Sequence, residues 1–245
     1  MPTQNTRDRR AGAARRATAA REAAQRAQRR RRMQTVAVVA ALVLLVAGGI
    51  AVQAARSTSD GPKGVPAGAV DETGFAVGAA DVPVTVELYE DFLCPACGRF
   101  EQEAGNELHH MAAEGTVRVV YRPMAFLDGY STTRYSTRAL NAVACAADED
   151  RFAEMHDQLF LAQPPEGGPG LSDDRLISLG AKAGAGGDAF EQCVRDLRYE
   201  RWTEQATDAA SKAGVVATPT VLVDGERLPE PSLEALRAAI ESAGG

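Results

Sequence analysis

The sequence predicts an α/β domain: a βαβ unit, then a run of helices, then a closing ββα unit. Three observations carry this. Val84, Val86 and Leu88 alternate with Thr85, Glu87 and Tyr89, the period of a strand with one face more apolar than the other. Cys97, Phe100, Ala104, Leu108 and Met111 then recur at the three- and four-residue spacing of one helix face, and Val117–Tyr121 returns to strand composition. Much later, Thr220–Val223 reads as a strand again and Asp224-Gly225 as a hairpin turn leading into Glu226–Leu228.

Strand, helix and strand in succession imply a parallel pair joined by a crossover. The stretch after it is helical in composition at Thr132–Ala147, Arg151–Leu161, Ser172–Ala183, Asp188–Leu197 and Trp202–Ala213. Gly and Pro clusters at Pro164–Gly170 and Gly184–Gly187 punctuate it. Ser232 is placed to cap a last helix that turns Leu233, Leu236 and Ile240 inward. The domain is expected over 71–245, with a helical insertion at about 130–213. That length is enough for one buried core.

The N-terminal part differs in kind. Residues 1–32 hold eleven Arg against Asp8 and Glu22, a charge of +9 in a chain whose total is −6. The rest therefore carries −15, and a basic tail precedes an acidic domain. The tail lacks aromatic residues and a fold to present it, which argues against nucleic-acid binding. Residues 33–55 form the expected membrane anchor. Thr35–Ala55 is uncharged, and a helix of that length spans roughly 31 Å, about one hydrocarbon core. The abutting Arg29–Arg32 puts the N-terminus in the cytoplasm and the domain outside, with the anchor in contact with lipid. A cleaved signal peptide ending near Val52-Gln53-Ala54 is the competing reading. Residues 56–70 read as a flexible linker.

The chemistry is concentrated in Asp91-Phe92-Leu93-Cys94-Pro95-Ala96-Cys97. A sulfur at a helix N-terminus meets unpaired N–H groups and the positive end of the macrodipole, which favour the thiolate. The second cysteine lies one turn along the same face. Pro95 costs the helix no hydrogen bond at its first position. Half of a zinc site would need two further ligands. Cys145 and Cys193 are isolated, and His109, His110 and His156 pair with no cysteine, so no metal and no cofactor are expected. A plain structural disulfide is the other alternative. A C-x-x-C beside a βαβ pattern reads as thioredoxin-like. In Ala217-Thr218-Pro219-Thr220, a proline opens a strand. A cis Thr218–Pro219 bond would turn the chain and expose the Thr218 backbone to an extended partner; a trans proline at a loop end is the plain alternative.

Together these features resemble the DsbA-like branch of the thioredoxin superfamily. Cys94-Pro95-Ala96-Cys97 resembles its redox site, and Ala217 through Gly225 its cis-proline loop and following hairpin. Tyr135–Ala147 and Phe152–Phe160 are similar to the helical insertion of exported, membrane-anchored members. The resemblance implies Cys94 as exposed nucleophile and Cys97 as buried resolving thiol. It implies Ala217, Thr218 and Pro219 as the substrate loop, with Pro95 and Ala96 as modulators of the redox site. Strongly oxidising members carry His where this chain has Ala96, which implies a milder oxidant. Members also keep a buried carboxylate near the resolving cysteine; Glu87 and Glu90 are the candidates, against the alternative that these and Asp91 are solvated or capping groups. Some members have a second disulfide, here Cys145–Cys193, the alternative being two buried thiols. The implied partners are exported proteins with free thiols and a quinone-linked membrane oxidase. The expected function is oxidation of exported thiols. An extracytoplasmic reductase or isomerase and a tethered binding or metal-delivery module are the alternatives. His156, among Phe152, Leu159 and Phe160, reads as a structural histidine at the core edge.

Overall fold

The computed structural model describes residues 64–244. The basic tail, the anchor at 33–55 and the linker through residue 63 lie outside the described residues. Among those described, no helix is long and apolar enough to cross a membrane.

Strands β1 (Ala69–Val70) and β2 (Gly74–Val77) form an antiparallel hairpin. β3 (Val84–Glu90) and β4 (Val117–Pro123) run parallel at the sheet centre. β5 (Thr220–Val223) and β6 (Glu226–Arg227) add antiparallel strands on the far side of β3. The order is β1-β2-β4-β3-β5-β6. The hairpin corrects the expected boundary, because β1 takes part of the predicted 56–70 linker into the fold. Its turn signal is weak: Asp71 and Glu72 make the turn at φ of 50° and 61°, and only Asp is usual there. Its anchor is Phe75, whose ring stacks on Phe152 at 4.2 Å and meets Trp202 edge-on at 5.4 Å.

Val84, Val86 and Leu88 face the main core, as their alternation predicts. Tyr89, of opposite parity, packs with Met124, Ala210 and Val215 on the other face. The helix predicted as continuous from Cys97 to Met111 is broken in register. α1 (Pro95–Phe100) widens into a π turn at Glu101–Gly105 before α2 (Asn106–Ala113). Phe100, Ala104 and Leu108 remain buried through the change, so their spacing alone gives no sign of it.

The insertion comprises α3 (Tyr135–Ala147), α4 (Phe152–Leu161), α5 (Asp173–Ala183), α6 (Asp188–Arg195) and α7 (Glu200–Lys212), within a few residues of the predicted bounds. α3 is buried on every side except at Arg138, so it serves as the insertion's central post. Cys145 of α3 and Cys193 of α6 are joined in a disulfide, with Cα atoms 6.0 Å apart. Asn141 works beside it: Nδ2 donates to the Cys193 and Val194 carbonyls, and Oδ1 accepts from Tyr199 N at 2.8 Å. The last helix, α8 (Leu233–Gly244), starts where Ser232 Oγ accepts from Ala235 N and buries Leu236 and Ile240.

The bridged cysteines are 48 residues apart, and constraining a loop of that size in the unfolded chain is worth about 4 kcal/mol. Replacing both with Ala is expected to lower the unfolding free energy by about that amount in urea titrations.

Candidate active site

β3 delivers the chain to the site, and the residues after it build a rigid approach. Asp91 is fully buried. Its Oδ1 accepts from Leu93 N at 2.8 Å and from Ser136 Oγ at 2.7 Å, and its Oδ2 from Leu127 N at 2.9 Å. One carboxylate thus ties the approach loop to α3 and to the segment after β4. Burial pushes the Asp91 carboxyl up to about 6, against the lowering effect of these three donors. Gln163 grips the same loop from α4's end, its Nε2 donating to the Phe92 and Cys94 carbonyls at 3.1 and 2.9 Å. Asp91 fits the capping alternative offered for it, whereas the sequence gives no role to Gln163. For Asp91 a signal existed, since an Asp that bonds the N–H two residues on makes an Asx turn. Gln163 sits in an unpatterned loop.

Cys94 caps α1 in extended conformation (φ −71°, ψ 116°), with Pro95 as the first helical residue and Gly98 N bonding back to the Cys94 carbonyl at 3.1 Å. Across from it, the Thr218–Pro219 bond is cis. The antiparallel register Tyr89↔Thr220 sets these loops side by side. The Cys94 thiol meets the Thr218 carbonyl at 3.3 Å, a contact spanning 124 residues of sequence.

The two cysteines are free thiols with opposed acidities. A hydrogen bond from the Cys97 thiol brings Cys94 down to about 5. Burial opposes this, while the Thr218 side chain and the Cys97 and Ala96 N–H groups assist it. Cys97 is pushed well above the usual thiol range, first by burial, then by Cys94 and by Glu90. The expectation of an exposed Cys94 is corrected: it is 7 % exposed and Cys97 1 %. Its neighbour Pro95 and Ala217 of the facing loop are exposed.

The two carboxylate candidates separate. Glu87 shares the parity of Tyr89 and pairs with Arg122 at 2.5 Å, so it does not join the cysteines. Glu90 keeps the inward parity of Val84, Val86 and Leu88 and is fully buried. Its Oε1 meets His156 Nε2 at 2.5 Å, and His156 Nδ1 faces Asp157 Oδ1 at 3.4 Å. His156 is therefore in the core, not at its edge. Burial alone would lower its pKa; Glu90, Asp157 and Glu101 together outweigh this and raise it. Burial pushes Glu101 up to about 8. Glu90, Glu101 and His156 place ligand-type atoms within 4.8 Å of one another, a set that no spacing in the chain groups.

The thioredoxin family profile matches residues 70–242. The chain is 34 % identical to the reduced disulfide bond oxidoreductase DsbG from Mycobacterium tuberculosis, covering 70 % of this chain and 88 % of that one with a TM-score of 0.63. The chain belongs to the thioredoxin family, in its branch of DsbA-type disulfide oxidoreductases. Against reduced DsbA from the same organism the identity is 33 %, covering 71 % of this chain and 93 % of that one, with a TM-score of 0.62. A curated relative, Na(+)/H(+) antiporter NhaA 3 of Salinispora tropica, is 36 % identical over 167 residues, 68 % of this chain and 24 % of the relative. The chain thus spans about a quarter of the length of that relative.

In this family member the acidity of Cys94 is directly measurable. Its folded pKa lies below that of a free thiol, so its contribution to the stability of the reduced protein is complete above about pH 9. It declines as pH falls and is gone below about pH 5. Alkylation of the reduced protein is expected to be half-maximal near pH 5. Thr218→Val is expected to raise that midpoint by about half to one unit, because it removes the hydroxyl and keeps the shape. An unmoved midpoint would dismiss the hydroxyl's part.

Proposed function

We propose that this chain is a membrane-anchored thiol–disulfide oxidoreductase that oxidises the thiols of exported proteins through a Cys94–Cys97 disulfide. The observation that carries the reading is the opposed acidity of the two sulfurs, with Cys94 seated against the cis Thr218–Pro219 loop.

In the oxidised protein a substrate thiolate attacks Cys94 Sγ. The Cys94–Cys97 bond breaks, its electron pair passes to Cys97, and Cys97 takes up a proton. A mixed disulfide now links Cys94 to the substrate. A second substrate thiolate attacks the substrate sulfur of that bond and releases Cys94 as thiolate. The substrate has lost two electrons and the enzyme holds them as a thiolate and a thiol. Because Cys94 is stabilised as thiolate, it is the better leaving group, which favours completion of the transfer. The Thr218 backbone, beside Cys94, offers an extended substrate segment a strand-like partner. Val216, 84 % exposed just before it, offers an apolar contact.

The apolar segment at 33–55 and the Arg cluster before it support placement of this chemistry on the outer side of the membrane. A quinone-linked membrane oxidase would return the site to the disulfide. Direction is decided by potential. Each unit by which the Cys94 pKa is lowered stabilises the reduced form by about 1.4 kcal/mol, about 30 mV for two electrons.

Equilibration with glutathione is expected to give a potential nearer the roughly −120 mV of a strong oxidant than the roughly −270 mV of thioredoxin. Ala96→His, which adds a donor or positive charge beside Cys94, is expected to raise it further. A value at or below roughly −270 mV would assign the chain to the reductive direction instead.

A further inference from the structure

We propose that Glu90, Glu101 and His156 form a buried binding site for one divalent transition-metal ion of the zinc class, separate from the cysteine pair. Three elements converge there: Glu90 ends β3, Glu101 opens the π turn, and His156 lies on α4. Wide turns of this kind occur at functional positions in helices. The ligand-type atoms lie within 4.8 Å of one another. Donors of a tetrahedral zinc ion lie ~3.4 Å apart, so Glu90 Oε1 and His156 Nε2, now hydrogen-bonded to each other, must open by about 1 Å and Glu101 close in to complete the set.

The second observation is the state of the carboxylate oxygens. Glu90 Oε2 and Glu101 Oε1 are buried and accept no hydrogen bond from any described residue. Glu90 is 0 % exposed. A carboxylate oxygen withdrawn from water without a donor is costly, and a cation between the two removes that cost. Asp157 Oδ1 at 3.4 Å from His156 Nδ1 supplies the carboxylate–imidazole arrangement that orients the other ring nitrogen toward a metal. Glu101 and Asp157 also line a cleft of about 320 Å³ that continues past His109 and Phe160. The cleft gives an ion a way in and a water the fourth position.

One nitrogen and two carboxylates suit zinc and its neighbours better than Cu(I), which prefers sulfur. Phe92, Tyr121, Phe152 and Phe160 surround the His156 ring, and such walls lack the six to eight oxygens of a calcium site. Entry of the ion displaces two protons to water, the one shared by Nε2 and Glu90 Oε1 and the one held by Glu101; no electrons move.

The test uses the full chain carrying Cys94→Ser and Cys97→Ser, so that no thiolate binds metal. The protein is loaded with Zn²⁺, desalted and assayed for zinc content and thermal unfolding. About one zinc per chain and a zinc-dependent rise in Tm are expected. Adding Glu101→Gln keeps the volume, removes the group that ionises to bind the metal and is expected to weaken binding at least tenfold and abolish the Tm rise. The Tm of that variant without zinc verifies that it folds. No retained zinc in the parent, or zinc content unchanged by Glu101→Gln, would overturn the proposal. Because both reactive cysteines are absent, either failure leaves the thiol chemistry untouched.

Discussion

Much of this structure exists to hold one sulfur between two backbone segments that are far apart in sequence. Cys94 sits where α1 begins, and the Thr218 carbonyl reaches it from just before β5. Strand pairing makes the contact possible: β5 joins β3 with Thr220 opposite Tyr89, so the loops that continue from these strands meet. The helix supplies N–H groups to the thiolate, and the Cys97 thiol supplies the strongest donor. The asymmetry between the cysteines follows, since the donor that stabilises Cys94 as an anion is itself kept protonated by burial.

Holding a loop in this way requires supports, and the helical insertion provides them. Asp91 spends both carboxylate oxygens on backbone and hydroxyl donors from three separate segments. Gln163 binds two carbonyls of the approach loop. Removing either would leave buried polar groups without partners. The insertion is in turn fixed around α3 by the Cys145–Cys193 bridge and by Asn141. The redox loop is therefore positioned by side chains from the insertion as much as by the sheet beneath it.

The parts legible in the sequence were those with a local pattern. Val84–Leu88 alternate, the insertion helices repeat at helical spacing, and Asp224-Gly225 marks its hairpin; each lies where expected. Cys94, Cys97 and Pro219 were recognisable because chemistry restricts where such residues occur. The parts that were missed have a weak local signal or none. The β1–β2 hairpin has six strand residues and a turn made by Asp71 and Glu72, of which only Asp is a usual turn former at positive φ. Glu87 and Glu90 looked equivalent, although parity separates them: Glu90 continues the inward series and Glu87 does not. The partnership of Glu90 with His156 crosses 66 residues, and Glu101 reaches them through a π turn that apolar spacing does not encode.

The central claim, that electron exchange with partner thiols passes through Cys94, is tested most directly by covalent trapping. With Cys97→Ala in the full chain, the Cys94 thiolate attacks a disulfide-bearing peptide and expels its other sulfur as thiolate, and the mixed disulfide so formed cannot be resolved from within. The account predicts a one-to-one adduct attached at Cys94, visible by mass spectrometry, released by reductant and absent when Cys94→Ala is added. An adduct that persists without Cys94, or no adduct in the Cys97→Ala protein, would contradict it.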